Sequence, residues 1–528
     1  MHRRHFLATA ALPLLGCTPT HEITGGFTGI AFERGHVLRD ARTWPAPTVT
    51  RRADVLIAGG GVAGLAAARA LRLKGIEDFA LLELEDTAGG NSRGGNINGI
   101  ACPLGAHYLP VPGDDAPDVQ NLLEELGLRR RVAGRWEYEE RYLCHSPQER
   151  LFLHGVWQDG LLPLQGVGAG TLAQYQKFAA LVEQQRQQAR WTIPASNHPL
   201  AQVQNALAAI TFAAYLDQHG LTDAYLRWYL DYCCRDDFGA GAATVSAWAG
   251  IHYFASRHGF HAPGADSGER RGVADGVLTW PEGNAWLTHR MAAPLGDRLR
   301  TGQVIMRIAE TRHGVEVDAF NTATQAVERW HARRAIVALP IFVAARVVEN
   351  PPDFLRQAAQ TTRYAPWLVA NIHIDTPLRD HPGPAPSWDN VLFGDGKTMG
   401  LGYVDAMHQS LLPVPGATVL TYYRALGDVP DGRRLLLEKP WAAWRDNILA
   451  ELGTAHPDLA GKTSRIDITR YGHAMAIPTP MTSSQIALQR TFHLRRQLQK
   501  AERLAFAHSD WAGYSVFEEA FTLGHQAA

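Results

Sequence analysis

Lysine is almost missing from this chain. Of 51 Lys and Arg residues only six are lysine: Lys74, Lys177, Lys397, Lys439, Lys462 and Lys500. Chemistry that needs a lysine amine therefore has few places to reside. Cysteine is also scarce, with Cys17, Cys102, Cys144, Cys233 and Cys234 scattered along the chain. That spacing excludes a disulfide framework and a paired CxxC zinc site. The adjacent Cys233 and Cys234 read as buried thiols, because a disulfide between neighbours would strain the backbone. Net charge is nearly absent, at -1, which excludes a field that would steer nucleic acid or an anionic membrane. No internal repeat and no low-complexity tract is present. What remains is 528 residues of which 46% are hydrophobic, enough for a packed core and more than one domain.

The first 17 residues, MHRRHFLATAALPLLGC, read as an address. Arg3-Arg4 precedes Phe6-Leu7, and the apolar run that follows is too short to span a bilayer. The pattern resembles a twin-arginine export signal, and Leu14-Leu15-Gly16-Cys17 resembles a lipoprotein box in which Cys17 carries lipid. Both imply the export machinery as a partner, a place in the periplasm or cell envelope, and membrane contact only through that lipid. Residues 18–49 read as a tether and an approach strand.

Residues 54–71, DVLIAGGGVAGLAAARAL, carry the strongest motif. Val55 to Ala58 is a continuous apolar run suited to a strand buried on both faces. Gly59, Gly61 and Gly64 then fit G-x-G-x-x-G, and an alanine-rich helix follows. Gly59 makes the turn, Gly61 lets backbone approach a pyrophosphate, and Gly64 lets the helix pack on the strand. Val62 and Ala63 open that helix, whose free amides attract phosphate. A second apolar strand, Phe79 to Leu82, ends in Glu83, 19 residues beyond Gly64. A carboxylate there accepts hydrogen bonds from ribose hydroxyls. The context makes this a dinucleotide site.

Further segments resemble the flavin amine oxidase and phytoene desaturase superfamily. Gly89-Gly90, with Asn91 where arginine is usual, resembles its second FAD motif, and Arg93 stands nearby as the substitute. Leu104 to Tyr108 resembles a segment beside the flavin ring but lacks its acid. Gly276 to Leu287 (GVLTWPEGNAWL) resembles the stretch that returns the chain to the FAD domain. Thr301 to Ile308 resembles the returning strand, with Val304 behind the adenine, and residues 332–340 resemble the strand that closes the unit. Tyr471 to Ala476 resembles the segment before the last FAD contact. At the C-terminus Asp510 resembles a ribityl or diphosphate ligand. Ser515, Val516 and Phe517 would start a helix aimed at the flavin, and Ala520 and Gly524 would let it pack. Ser509 and Glu519 stand where glycine is usual.

The resemblance implies an α/β fold in which a Rossmann-like FAD-binding domain (50–110, 275–345 and 485–528) interleaves with an α+β substrate domain (111–274 and 346–484). It also implies non-covalent FAD, since related covalent enzymes use a cysteine near the C-terminus and none follows Cys234. The expected partners are a small-molecule substrate and oxygen or another electron acceptor, with no nucleic acid and no metal.

Within the substrate region, Tyr471, His473 and His107 are the candidate catalytic residues, with Tyr108, Trp388 and Tyr403 as further aromatic walls of a cage for a cation. Many relatives place a lysine in the strand resembling Trp367 to Ile374; none stands there, which leaves Asn371 or His373 as substitutes. Asp118 reads as a helix cap. Asp236-Asp237-Phe238-Gly239 reads as a solvated loop, with a carboxylate at a cavity mouth as the alternative. Three activities follow: oxidation of a C–H bond next to an amine by hydride transfer to flavin N5, desaturation or isomerisation of an apolar substrate, or flavin binding by a lipoprotein without turnover.

Overall fold

The computed structural model describes residues 22–40, 45–144, 148–263, 276–394, 400–411, 414–481, 485 and 502–528. The export segment, Cys17, Lys397 and Lys500 lie outside them.

Two sheets organise the chain. The first runs in the order Leu299–Arg300, Phe79–Leu82, Val49–Ala58, Ala326–Val337, Val315–Asn321, Gln303–Glu310. Its first half is parallel, as buried apolar strands connected by crossover helices must be. Its second half is an antiparallel meander. The 12-residue strand Ala326–Val337 joins them. It pairs in parallel with Val49–Ala58 along its length, with the meander at its start and with Leu504–Phe506 at its end. Leu56 and Ile57 are fully buried in the central strand, each contributing about 2 kcal/mol through burial.

Helices Val62–Leu73 and Phe517–Ala527 cover one face, and Ile341–Val347 and Asp353–Thr361 the other. The first two pack closely because their contact is glycine: a Cβ on Gly524 would sit 2.0 Å from the Ala63 carbonyl oxygen. These strands come from three separate stretches, giving the Rossmann-like domain that the sequence implies.

The second sheet has eight strands, in the order Thr24–Phe27, Thr463–Ile477, Arg363–Ile374, Thr418–Ala425, Tyr403–Asp405, Asp389–Leu392, Glu149–Leu153, Val156–Asp159. One face carries Gly432–Glu438 and Trp441–Leu452. The other faces the helices Ala169–Gln188, Ala224–Phe238 and Ala247–Ala255, with Trp367, Tyr423 and Tyr471 in the shared core. Among the described residues no helix is long and apolar enough to cross a membrane.

Three details differ from the sequence reading. Part of the tether is built into the second sheet: Thr24–Phe27 pairs in parallel with Arg465 to Ile468, and Phe32–Arg39 is helical. Asp118 is not a cap. Pro117 sets φ for the first turn, so the helix starts at Pro117 with Ala116 before it. Asp236 and Asp237 are not in a loop; they close the helix Ala224–Phe238, which stops at Gly239 with φ +73°.

Candidate functional site

A cavity of about 460 Å³ runs between the two sheets. One end is built on the glycine turn. Gly59 has φ +102°, and a Cβ there would lie 2.5 Å from the Ala338 carbonyl oxygen. A Cβ on Gly64 would lie 1.9 Å from the Gly59 oxygen. Gly61 differs: an added Cβ would find only Gly90 Cα, at 3.8 Å. The space beside it is cavity. Gly61 also bridges to Gly89, and Gly90 has φ +59°, so two glycine segments leave bare backbone around one opening. Helix Val62–Leu73 begins there with no side-chain cap, and its free N–H groups make an anion site.

Glu83 lines the same end at 8% exposure. It accepts from the Gly60 N–H at 2.7 Å and the Glu85 N–H at 2.9 Å. Burial pushes its pKa up, opposed by those two amides. Asp510 lines the cavity too, accepting from the Ile341 N–H at 3.0 Å and the Tyr364 hydroxyl at 2.6 Å, with His508 at 3.1 Å. Burial pushes this carboxyl up as well, but His508, Tyr364 and the amide together hold it below the usual range. Ser515, Val516, Phe517 and Ala520 complete this part, at the uncapped start of the terminal helix. Two helix N-termini thus meet one opening.

Two expected cofactor contacts lie elsewhere. Arg93 does not line the cavity; its guanidinium donates to the Gly29 carbonyl at 2.8 Å and pairs with Glu85 at 3.3 Å. Val304 is buried, but its neighbours Gln303 and Ile305 line the cavity instead. Side chains alternate along a strand, so a register read one residue off exchanges the two faces.

The other end is aromatic. His107 stacks on Tyr423 with centroids 4.3 Å apart, and lies 5.4 Å from Trp388 and 5.0 Å from Tyr108. Burial lowers its pKa to about 3, so the ring is neutral. The hydroxyls of Tyr471 and Tyr423 donate to the carbonyls of Leu104 at 2.7 Å and Gly105 at 3.0 Å. Both phenols are therefore pinned on the loop that carries His107. His473 lines the cavity near Tyr364, stacked on Phe342 at 4.4 Å and bonded to Arg433. Burial, then Arg433, lowers it to about 4. Tyr403 points away, its hydroxyl bonded to His456 at 2.8 Å.

Neither substitute for the missing lysine reaches the cavity. Asn371 is buried between the Pro103 carbonyl and Thr421, and His373 bonds to Ser464. From that strand Trp367 and Val369 line the cavity. Among the described residues no lysine does.

Sequence reasoning passed over Arg257, Glu518 and the true place of Asp236 and Asp237, all of which line the cavity. A signal for the pair existed: Tyr229, Cys233, Asp236 and Asp237 recur at helical spacing, so they share one helix face.

A family model described as flavin-containing amine oxidoreductase matches residues 62–528. Putrescine oxidase of Kocuria rosea is 28% identical over 187 residues, which is 35% of each chain. The chain therefore spans about a third of that curated relative. Among solved structures, a putrescine oxidase bound to putrescine is similar with a TM-score of 0.63 and 18% identity, covering 90% of this chain and 98% of that one. Cyclohexylamine oxidase from Brevibacterium oxydans has a TM-score of 0.61 and 18% identity, covering 90% and 97%. These likenesses establish the shared fold.

Proposed function

The chain belongs to the flavin-containing amine oxidoreductase family, and from that membership we propose that it binds FAD without a covalent link and oxidises the C–H bond next to an amine. One observation carries this reading. A single cavity has two uncapped helix N-termini and bare glycine backbone at one end, and neutral aromatic walls at the other.

The residues present fit FAD. The opening beside Gly61 and Gly90 is space that a Cβ would fill, and it lies at a helix N-terminus suited to a diphosphate. Glu83 would hold ribose hydroxyls, because each of its oxygens keeps a second lone pair after binding one amide. Asp510 and Ser515 would hold the ribityl chain. When bound, FAD supplies the two-electron acceptor for a hydride, and oxygen or another acceptor removes those electrons.

The chain's own residues prepare the amine. An ammonium must shed a proton before its neighbouring C–H can leave as hydride. Walls of His107, Tyr108, Trp367, Tyr423 and Tyr471 exclude water and disfavour the charged form. Loss of one proton and one hydride turns R–CH₂–NH₂ into an imine, which water converts to aldehyde and ammonia. Aerobic incubation with a panel of primary amines tests the reading. Equal amounts of aldehyde and hydrogen peroxide are expected, or equivalent reduction of an added dye. No aldehyde from any amine would overturn it.

The lack of a cavity lysine among the described residues favours a second reading, desaturation or isomerisation of an apolar substrate. The carboxylates of Asp236, Asp237 and Glu518, which line the cavity besides Glu83 and Asp510, weigh against it. We further propose export to the cell envelope through the Arg3-Arg4 signal, with lipid on Cys17; recovery of all the protein in the cytoplasmic fraction would refute this.

A further inference from the structure

Residues 22–40 precede the stretch that the family model matches, yet they reach the cavity. Their two halves go to different sheets. Thr24–Phe27 is an edge strand of the second sheet, and Thr28 continues it by donating to the Ile468 carbonyl at 2.9 Å. Phe32–Arg39 lies against the strand Gln303–Glu310 of the first sheet. The segment therefore bridges the two sheets between which the cavity runs. Leu38 lines that cavity together with Glu83, Gln303 and Ile305.

The ties of this segment converge on one short stretch of chain. Arg34 donates to the Leu84 carbonyl at 2.9 Å and pairs with Asp86 at 2.8 Å. The Ala31 N–H donates to the Glu85 carboxylate at 3.2 Å. Arg93 joins both sides, donating to the Gly29 carbonyl at 2.8 Å and pairing with Glu85 at 3.3 Å. The Glu85 N–H in turn donates at 2.9 Å to Glu83, the carboxylate assigned above to the ribose. Glu83 and Leu84 thus face the cavity, while Leu84, Glu85 and Asp86 hold the segment. Farther along, the Arg470 guanidinium lies 3.7 Å from the ring centroid of Phe27 and 5.1 Å from that of Phe32.

No residue of the segment is fully buried. Its helix has eight residues and no side-chain cap, and a helix that short does not persist alone in water. Arg34 and Asp86 are 23% and 79% exposed, so their pairing is weak. Leu38 is only partly buried, against the cluster that holds Ile305 and Ile341. A segment held this lightly opens while the rest of the fold stays closed. We propose that residues 22–40 are a strap that opens to admit FAD and closes over it, so that Arg34 and Leu38 set the rate at which the cofactor leaves. The proposal rests on the FAD reading and adds to it a means of retention.

The test uses the purified holoprotein and needs no substrate. FAD remaining with the protein is measured after timed dilution, and amide hydrogen exchange is followed in the same samples. Arg34→Ala and Leu38→Ala should each speed FAD release by at least about tenfold. Exchange over residues 32–39 should quicken in both, while exchange over residues 62–73 stays as it was. Arg333→Ala serves as the control, because it breaks an exposed pair with Asp54 and neither residue lines the cavity; release should be unchanged. Unaltered release in both strap variants, equal acceleration by Arg333→Ala, or release that quickens only together with exchange over residues 62–73 would overturn the proposal. The two readings fail separately. A protein that takes up no FAD refutes the flavin reading and the strap with it; one that holds FAD but loses it at the same rate in every variant refutes the strap alone.

Discussion

Gly61 and Gly64 stand three positions apart in one turn and carry opposite duties. A methyl at position 64 meets a carbonyl oxygen at 1.9 Å, whereas one at position 61 projects into the cavity. Gly64→Ala should therefore lower stability by about 2 to 3 kcal/mol, while Gly61→Ala should stay within about 1 kcal/mol yet purify without flavin. Urea unfolding and the visible spectrum check both. Titrating groups give a second prediction. Burial lowers His107 and His252 to about 3, and His456 and His473 to about 4. The unfolded chain takes up protons below about pH 6.5 while the native protein does not, so stability is lost as pH falls from there toward 4. Asp236 and Glu518 act with opposite sign, because burial raises both to about 7. Their contribution is present at low pH and lost as pH rises through 7. Asp236→Asn should thus raise the melting temperature relative to wild type more at about pH 8 than at about pH 4.5. A larger gain at the acid end would show that this carboxyl is not buried as described. The glycines, Glu83 and Asp510 were legible because each follows a fixed spacing that backbone geometry demands. Arg93 and Val304 were misplaced because spacing does not say which way a side chain points.

The terminal helix shows what an element contributes that its residues do not. Phe517–Ala527 delivers free amides to the cavity only because it lies against Val62–Leu73, and Gly524 sets that distance at Ala63. Gly524→Leu should push the helices apart, lower the melting temperature and reduce flavin content together. A variant that melts lower but keeps its full flavin would separate packing from cofactor binding. The glycine-turn strand and helix were readable in the sequence, since a continuous apolar run and an alanine-rich stretch each have one plausible partner. The end of Ala224–Phe238 was not, because Asp236, Asp237 and Gly239 look like loop residues until tertiary contacts decide. The eight-stranded sheet was least legible. Its pairing of Thr24–Phe27 with Thr463–Ile477 joins segments some 440 residues apart, and no local pattern announces such a contact.

At the scale of the whole molecule the cavity exists only where two sheets meet, each assembled from distant parts of the chain. The glycine turn near residue 60 and the helix near residue 520 must come together before either helix end faces anything. The same closure places His107, Tyr423 and Trp367 against the carboxylates of Asp236 and Glu518. Cofactor retention should therefore report on the complete fold. That the chain is an amine-oxidising flavoprotein is tested most directly by the visible spectrum of the purified protein under nitrogen, before and after adding amines. The account predicts a flavin band that acid precipitation releases from the protein and that a primary amine bleaches. A protein without a flavin band, or a band that no amine bleaches, would contradict it.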